Sequence, residues 1–256
     1  MRLTHAGLTD VGRKRTHNED AYLLLPEENL WCVADGMGGH ASGEVAARLA
    51  VEELAEFFQL TGRDEEATWP FKLDAKLGYE ENRLVTGVKL ANLRIHERAQ
   101  SDAKLRGMGT TIVACSLLKD GRTLVVGHVG DSRMYLWRAG QIRQVTEDHS
   151  LLNDYLRTKK LTPEEVEAFP HKNVTVRALG MKPAVEVDLL KETLQPGDVV
   201  LLCSDGLSGM VPDARMGEVI QGAHGDLRLA ARNLIEAANE GGGVDNITCV
   251  LVQAQG

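Results

Sequence analysis

Short apolar runs, broken by glycine and aspartate turns, alternate in this chain with longer stretches whose apolar residues recur at helical spacing. Residues 3–10, 20–25, 30–35, 111–118, 122–129, 185–190, 198–203 and 247–252 read as strands. Lys119-Asp120-Gly121 marks a hairpin between two of them, and Ala139-Gly140 marks another between Met134–Trp137 and Ile142–Val145. Residues 41–59 predict a helix, because Ala47, Ala50, Val51, Leu54 and Phe58 form one apolar stripe. A second helix is expected over 79–106, with Leu84, Val88, Ala91 and Ile95 on one face, and a third over 227–239. Thr61 to Gly78, with its charges and Trp69-Pro70, reads as a loop. Antiparallel hairpins with long helices inserted among them predict an α+β fold. No repeat, low-complexity tract or linker interrupts the pattern, so one domain over residues 1–256 is expected.

The ends of the apolar runs carry the chemistry. Leu30–Ala34 stops at Asp35-Gly36, and Leu124–Val129 stops at Gly130-Asp131. Val199–Cys203 stops at Ser204-Asp205-Gly206, Asp245-Asn246 opens the last run, and Asn18-Glu19-Asp20 precedes Ala21–Leu25. One aspartate beside a glycine is explained by turn chemistry alone. Several acidic strand ends brought together would repel one another unless cations filled the space between them. Oxygen-only ligands favour a hard ion, Mg²⁺ or Mn²⁺.

Composition narrows the classes. The chain has 256 residues, 43% hydrophobic and 26% charged, which suits one globular core. A net charge of −8, with no basic stripe interleaved with aromatics, argues against nucleic acid as a partner. No apolar stretch approaches a membrane span, and no signal peptide is visible at the start. Cys32, Cys115, Cys203 and Cys249 lie apart inside apolar runs without metal-ligand spacing, so buried thiols and a cytoplasmic location are expected.

Arg15-x-x-Asn18-Glu19-Asp20, Asp35-Gly36-Met37-Gly38-Gly39, Gly109-Thr110-Thr111, Gly130-Asp131-Ser132-Arg133, Ser204-Asp205-Gly206-Leu207 and Gly243-x-Asp245-Asn246 occur in that order. From about Leu3 to Val252 the chain thereby resembles the metal-dependent serine/threonine protein phosphatases of type 2C, in their compact bacterial form. The resemblance implies a sandwich of two antiparallel β-sheets flanked by helices, α-β-β-α, with a flap subdomain at about 151–175 beside the site. It implies a centre of two Mg²⁺ or Mn²⁺ ions, bridged by Asp35, with the Gly36 carbonyl, Asp205 and Asp245 as ligands. Glu19 would join largely through water, Asp20 would orient water, and Asp131 with Asp205 would hold a third ion. Arg15 would bind the phosphoryl group. Animal members carry a histidine where this chain has Met37, so the general acid is left unassigned, with His40 the nearest candidate. His149 reads as a structural hydrogen bonder. Phosphorylated proteins, a serine/threonine kinase among them, are the implied substrates of a monomeric enzyme. A non-catalytic phosphoprotein-binding relative and a hydrolase of small phosphomonoesters are the alternatives. The first should have lost one of Asp35, Asp205 or Asp245, and all three are present.

Overall fold

The computed structural model describes every residue except 39–41, 65–67, 160, 163–164, 166–168 and 170–173, and only the backbone of 157 and 158. Eleven strands run in chain order among the described residues. They are β1 (Arg2–Asp10), β2 (Asp20–Leu25), β3 (Leu30–Met37), β4 (Gly109–Thr110), β5 (Ile112–Leu117), β6 (Thr123–Val129), β7 (Arg133–Arg138), β8 (Gln141–Gln144), β9 (Asp188–Thr193), β10 (Val199–Cys203) and β11 (Ile247–Gln255). One sheet has the order β1-β11-β10-β7-β8; the other is β2-β3-β5-β6-β9, with β4 beside β3. Every pairing is antiparallel.

The unbroken apolar runs follow from burial on both faces of each sheet. In β3, Trp31 and Val33 enter the core between the sheets, while Leu30, Cys32 and Ala34 face a core built with α1 (Ser42–Arg63) and α2 (Tyr79–Ser101). In β10, Val200 and Leu202 face the inter-sheet core, and Val199, Leu201 and Cys203 face α5 (Asp213–Gly222) and α6 (Leu227–Glu240). Among the described residues, two shorter helices, α3 (Leu151–Thr158) and α4 (Asp205–Ser208), lie between α2 and α5 in the chain. The result is four layers, helices-sheet-sheet-helices, as expected. Each fully buried Leu or Phe, such as Leu54 and Phe58, contributes about 1.5–3 kcal/mol to holding the layers together. All four cysteines are free and buried in these cores.

Local turn chemistry matches the pattern closely. Ala139 (φ 50°) and Gly140 (φ 84°) both take the left-handed region, as a two-residue hairpin turn with the right twist demands. Asp120 Oδ1 accepts from the backbone N–H groups of Arg122 and Thr123 at 2.9 and 2.8 Å, closing the other hairpin.

Element boundaries depart from expectation where tertiary contacts intervene. The first helix runs on from Gln59 to Arg63. Buried Thr61 in its last turn donates to Phe57 O at 2.7 Å and accepts from Arg83 Nε at 2.7 Å. The second stops at Ser101 rather than Arg106. Asp102 leaves helical geometry, and its carboxylate accepts from Lys104 N–H at 3.0 Å, starting a short 3₁₀ turn. β9 covers 188–193 rather than 185–190, because Val185 and Val187 pack on the helical core while Asp188 to Thr193 pair with β6. Helix α5 is not foreseen at all; only Met216, Val219 and Ile220 face its core in an otherwise polar segment. The loop before α2 is held down by Trp69, packed 5.6 Å from Phe57 and 5.2 Å from Tyr79.

Candidate metal centre

Strand ends from both sheets meet at one end of the sandwich. Asp20 opens β2 directly opposite Asp35 in β3. The Asp35 backbone is pinned: its N–H donates to Thr111 Oγ1 at 3.2 Å, and its carbonyl accepts from Thr111 N–H and Thr110 Oγ1, each at 2.8 Å. Asp205 begins α4 two residues after β10, and Asp245 lies two residues before β11. Asp131 follows β6 across Gly130 (φ 112°), where a Cβ would meet Thr111 Cβ at 2.6 Å. A cleft of about 540 Å³ is lined by Arg15, Glu19, Asp35, Gly36, Asp131, Asp205 and Asp245. Asp20 is not among the lining residues. His40 lies outside the described residues.

The Gly36 carbonyl region is crowded: a Cβ on Gly36 would meet Gly43 O at 2.1 Å and Glu19 O at 2.5 Å. Only glycine lets the three backbones approach this closely. The segment 11–19 is fastened to the loop before β11. Asn246 accepts from Glu19 N–H at 2.8 Å and donates to the carbonyls of Val11 and His17 at 3.0 and 2.8 Å. Arg15 Nη2 then donates to Asp245 Oδ2 at 2.7 Å. That contact raises the Arg15 pKa, so the guanidinium stays charged.

The electrostatics are those of crowded like charges. Asp20 is pushed up to about 7, first by burial and then by Asp205 and Asp245, against the opposing pull of the Thr248 and Ser204 hydroxyls. Burial, with Asp131 and Asp245, pushes Asp205 up to about 6. Asp35 keeps a little exposure to the cleft, but surrounding protein lifts its pKa well above the ordinary range, with Asp20, Asp205, Asp131 and Asp245 adding to it. Asp131 is raised too, chiefly by burial, although Thr175 Oγ1 donates to its Oδ2. Asp20 Oδ2 accepts from Ser204 Oγ at 2.8 Å, while the buried Oδ1 has no hydrogen-bond partner among the described residues.

Among the described residues, no three of these side chains already close around a single point. Glu19, Asp35, Asp131, Asp205 and Asp245 line the cleft walls, and the charge of Asp205 adds to the upward shift at Asp35. Hard oxygen donors, mutual repulsion and an unpartnered buried carboxylate oxygen together fit divalent Mg²⁺ or Mn²⁺, and fit a soft metal poorly. His149 holds the backbone beside Asp131: Nδ1 accepts from Gly130 N–H at 2.9 Å, and Nε2 faces Asp188 at 3.2 Å.

The sequence reading assigned no role to Thr111, Ser204 and Asn246, although all three stand inside the quoted motifs. Their work is to hold a neighbour's backbone or carboxylate, which requires knowing what lies across the fold.

The sequence profile of protein phosphatase 2C matches residues 11–232. The serine/threonine phosphatase stp of Listeria innocua is 39% identical over 252 residues, covering 96% of this chain and 93% of that protein. The protein phosphatase PhpP of Streptococcus pneumoniae is 35% identical over 253 residues, covering 96% and 95%. The crystal structure of the Mycobacterium tuberculosis serine/threonine phosphatase PstP/Ppp superposes with a TM-score of 0.84 at 35% identity, over 99% of each chain. The catalytic domain of PstP in complex with two manganese ions gives 0.81 at 34% identity, again over 99% of each. With the profile spanning most of the chain and these relatives nearly all of it, the chain belongs to the protein phosphatase 2C family of metal-dependent serine/threonine protein phosphatases.

Proposed function

We propose that this chain removes phosphate from phosphoserine and phosphothreonine in proteins by direct attack of water, with two Mg²⁺ or Mn²⁺ ions at the strand-end cleft. Such ions would supply Lewis acidity and make a shared water acidic enough to be a nucleophile near neutral pH. Asp35 would bridge them, the Gly36 carbonyl, Asp205 and Asp245 would complete their protein ligands, and Glu19 would reach in through water. Asp131, with Asp205, would hold a third. Asp20 would orient a water; its Oδ1 is buried and has no hydrogen-bond partner among the described residues. The observation that carries this reading is the gathering of acids from separate strand ends at and beside one cleft, with Asp20, Asp35, Asp131 and Asp205 held above the ordinary carboxylate range, chiefly by burial. The two manganese ions of the PstP catalytic domain support it. The substrates would include a serine/threonine kinase, and the four buried free thiols suit a reducing cytoplasm.

Arg15 would hold the phosphoryl oxygens, its planar fork matching two of them and the charge that spreads over them in the transition state. Kinetics on a phosphothreonine peptide in Mn²⁺ test this reading. The native chain should release inorganic phosphate, and Arg15→Ala should raise KM with a loss of about 1.5–3 kcal/mol in kcat/KM. Because Arg15 also sits on Asp245, its removal should leave Mn²⁺ affinity unchanged or tighter. No phosphate release by the native chain would overturn the function; native kinetics in the variant would return Arg15 to a solvated cation.

Asp131→Ala separates the third position from the other two. The variant should keep two bound Mn²⁺ and its melting temperature, since the Thr175 hydroxyl it frees can turn to water. Its kcat should fall at least tenfold, about 1.4 kcal/mol of barrier. Measuring bound metal, turnover and melting on one preparation decides it. Normal turnover would make Asp131 a turn residue, and a collapse in melting temperature would make it structural.

A further inference from the structure

The segment that carries Arg15 has a second feature, which the proposed chemistry does not use. Arg13, Lys14, Arg15, Thr16 and His17 are five consecutive exposed residues, and the last three line the cleft. Arg15 is committed to Asp245. Arg13 and Lys14 have no carboxylate partner among the described residues, although the chain carries a net charge of −8.

An exposed cation pair is ordinarily a solvated surface. What distinguishes this pair is that its backbone is fixed to the floor of the site. The N–H groups of Arg13 and Lys14 both donate to Gly243 O, at 2.7 and 3.2 Å, two residues before Asp245. Gly12 N–H donates to Asp10 Oδ1 at 2.8 Å. Gly12 takes φ 79°, and a Cβ there would stand 2.2 Å from Asp245 O. Asn246 clasps both ends of the segment, at Val11 and at His17. The Arg13 stem lies over Gly243, where a Cβ would meet its Cγ at 2.7 Å. These contacts tie the backbone of the turn to the acid cluster, and the two cations directly precede the three residues that line the cleft.

A phosphoprotein whose phosphoryl group is held by Arg15 must run its neighbouring residues out over the rim, and on one side that rim is this basic turn. We infer that Arg13 and Lys14 select substrates by charge: they favour phosphorylated segments that carry acidic side chains or a second phosphate within a few residues of the scissile one, on one flank only. The inference rests on the protein-phosphatase reading above. It concerns recognition, so the effect belongs in KM and in association rather than in the chemical step. Two exposed ion pairs support a preference of about three- to tenfold, attenuated by salt.

The test uses three phosphothreonine peptides that differ only in the flanks: glutamates on the N-terminal side, glutamates on the C-terminal side, or glutamines throughout. Their kcat/KM values are measured in Mn²⁺ at low and high NaCl, beside an aryl phosphate that has no flanks. The native chain should prefer one of the two glutamate peptides by about three- to tenfold, through KM, and lose the preference in high salt. The Arg13→Gln/Lys14→Gln double variant should abolish the preference with aryl phosphate turnover and melting temperature unchanged. The Arg13→Glu/Lys14→Glu variant should disfavour the same glutamate peptide. Equal rates for all three peptides with the native chain, or an unchanged preference in the glutamine variant, would overturn the inference. Turnover of the aryl phosphate with none of any peptide would instead overturn the protein-phosphatase reading, and the selectivity with it.

Discussion

Asp35→Asn should reduce kcat/KM on any phosphorylated substrate at least a thousandfold, a barrier increase of about 4 kcal/mol, while leaving the chain folded. The substitution keeps the shape of the side chain. It leaves untouched the backbone bonds from Thr110 and Thr111 that fix the position of residue 35. It removes the negative charge proposed to be shared by two cations, and an amide cannot replace it as a bridge. Bound Mn²⁺ measured on the same preparation should fall below two per chain. Removing this carboxylate also relieves its repulsion with Asp20, Asp205, Asp131 and Asp245. In chelator, therefore, the variant should melt higher than the native chain by several degrees. This opposite movement of activity and stability distinguishes loss of a functional group from damage to the fold. Near-normal turnover in Asp35→Asn would remove Asp35 from the bridging position.

Chelation should have an effect of similar size on the native chain, and a pH signature besides. Activity should vanish in excess EDTA and return with Mn²⁺. Without cations, Asp20 and Asp205 titrate near 7 and 6 rather than near the ordinary 3.8. Between those values the folded chain binds more protons than the unfolded one. These two groups therefore make stability fall as pH rises from about 4 to about 7. Cation binding requires the same carboxylates ionised, so protons and Mn²⁺ compete, and Mn²⁺ affinity should rise over that window. His128 works in the other direction, since burial and His149 lower it to about 4 and its contribution is lost as pH falls from about 6.5. It is common to both conditions. The quantity to measure is therefore the difference in melting temperature between Mn²⁺ and EDTA, which should grow from pH 5.5 to pH 7.5. Full activity in EDTA after exhaustive dialysis, or a difference independent of pH, would contradict a cation centre built on these acids.

The centre also explains why a cluster costly to the fold is kept. Four carboxylates lifted above their usual range are a standing destabilisation of the bare chain. The same crowding concentrates negative potential where hard cations would bind. The nearby basic turn, with Arg15 facing Asp245, sets positive charge at one margin of that acid floor. Phosphate would thus meet a guanidinium at the lip and cations below, an arrangement suited to a doubly charged group.

The sequence by itself determined the local elements and the chemical inventory. Turn chemistry at Asp120-Gly121 and Ala139-Gly140 closes hairpins within a few residues, so both could be read directly. The apolar stripe through Leu54 and Phe58 likewise needs only helical periodicity. The ordered motifs, through the family they resemble, picked out the acids that line the cleft, along with Asp20 opposite Asp35. Tertiary structure alone decided the rest. Helix α5 presents only Met216, Val219 and Ile220 to the core, too few for periodicity to stand out. The bounds of β9 come from pairing with β6, not from its own apolar residues. Asp20 faces Asp35 because a register was chosen between two strands. Arg15 meets Asp245 across 230 positions of chain, through a loop that Asn246 holds from the far terminus. The unpartnered Asp20 Oδ1, and the pKa shifts around it, arise from desolvation and from charges brought together by folding. Propensity and spacing act over a few residues, whereas burial and Coulomb repulsion depend on distance through space, which only the packed sandwich sets.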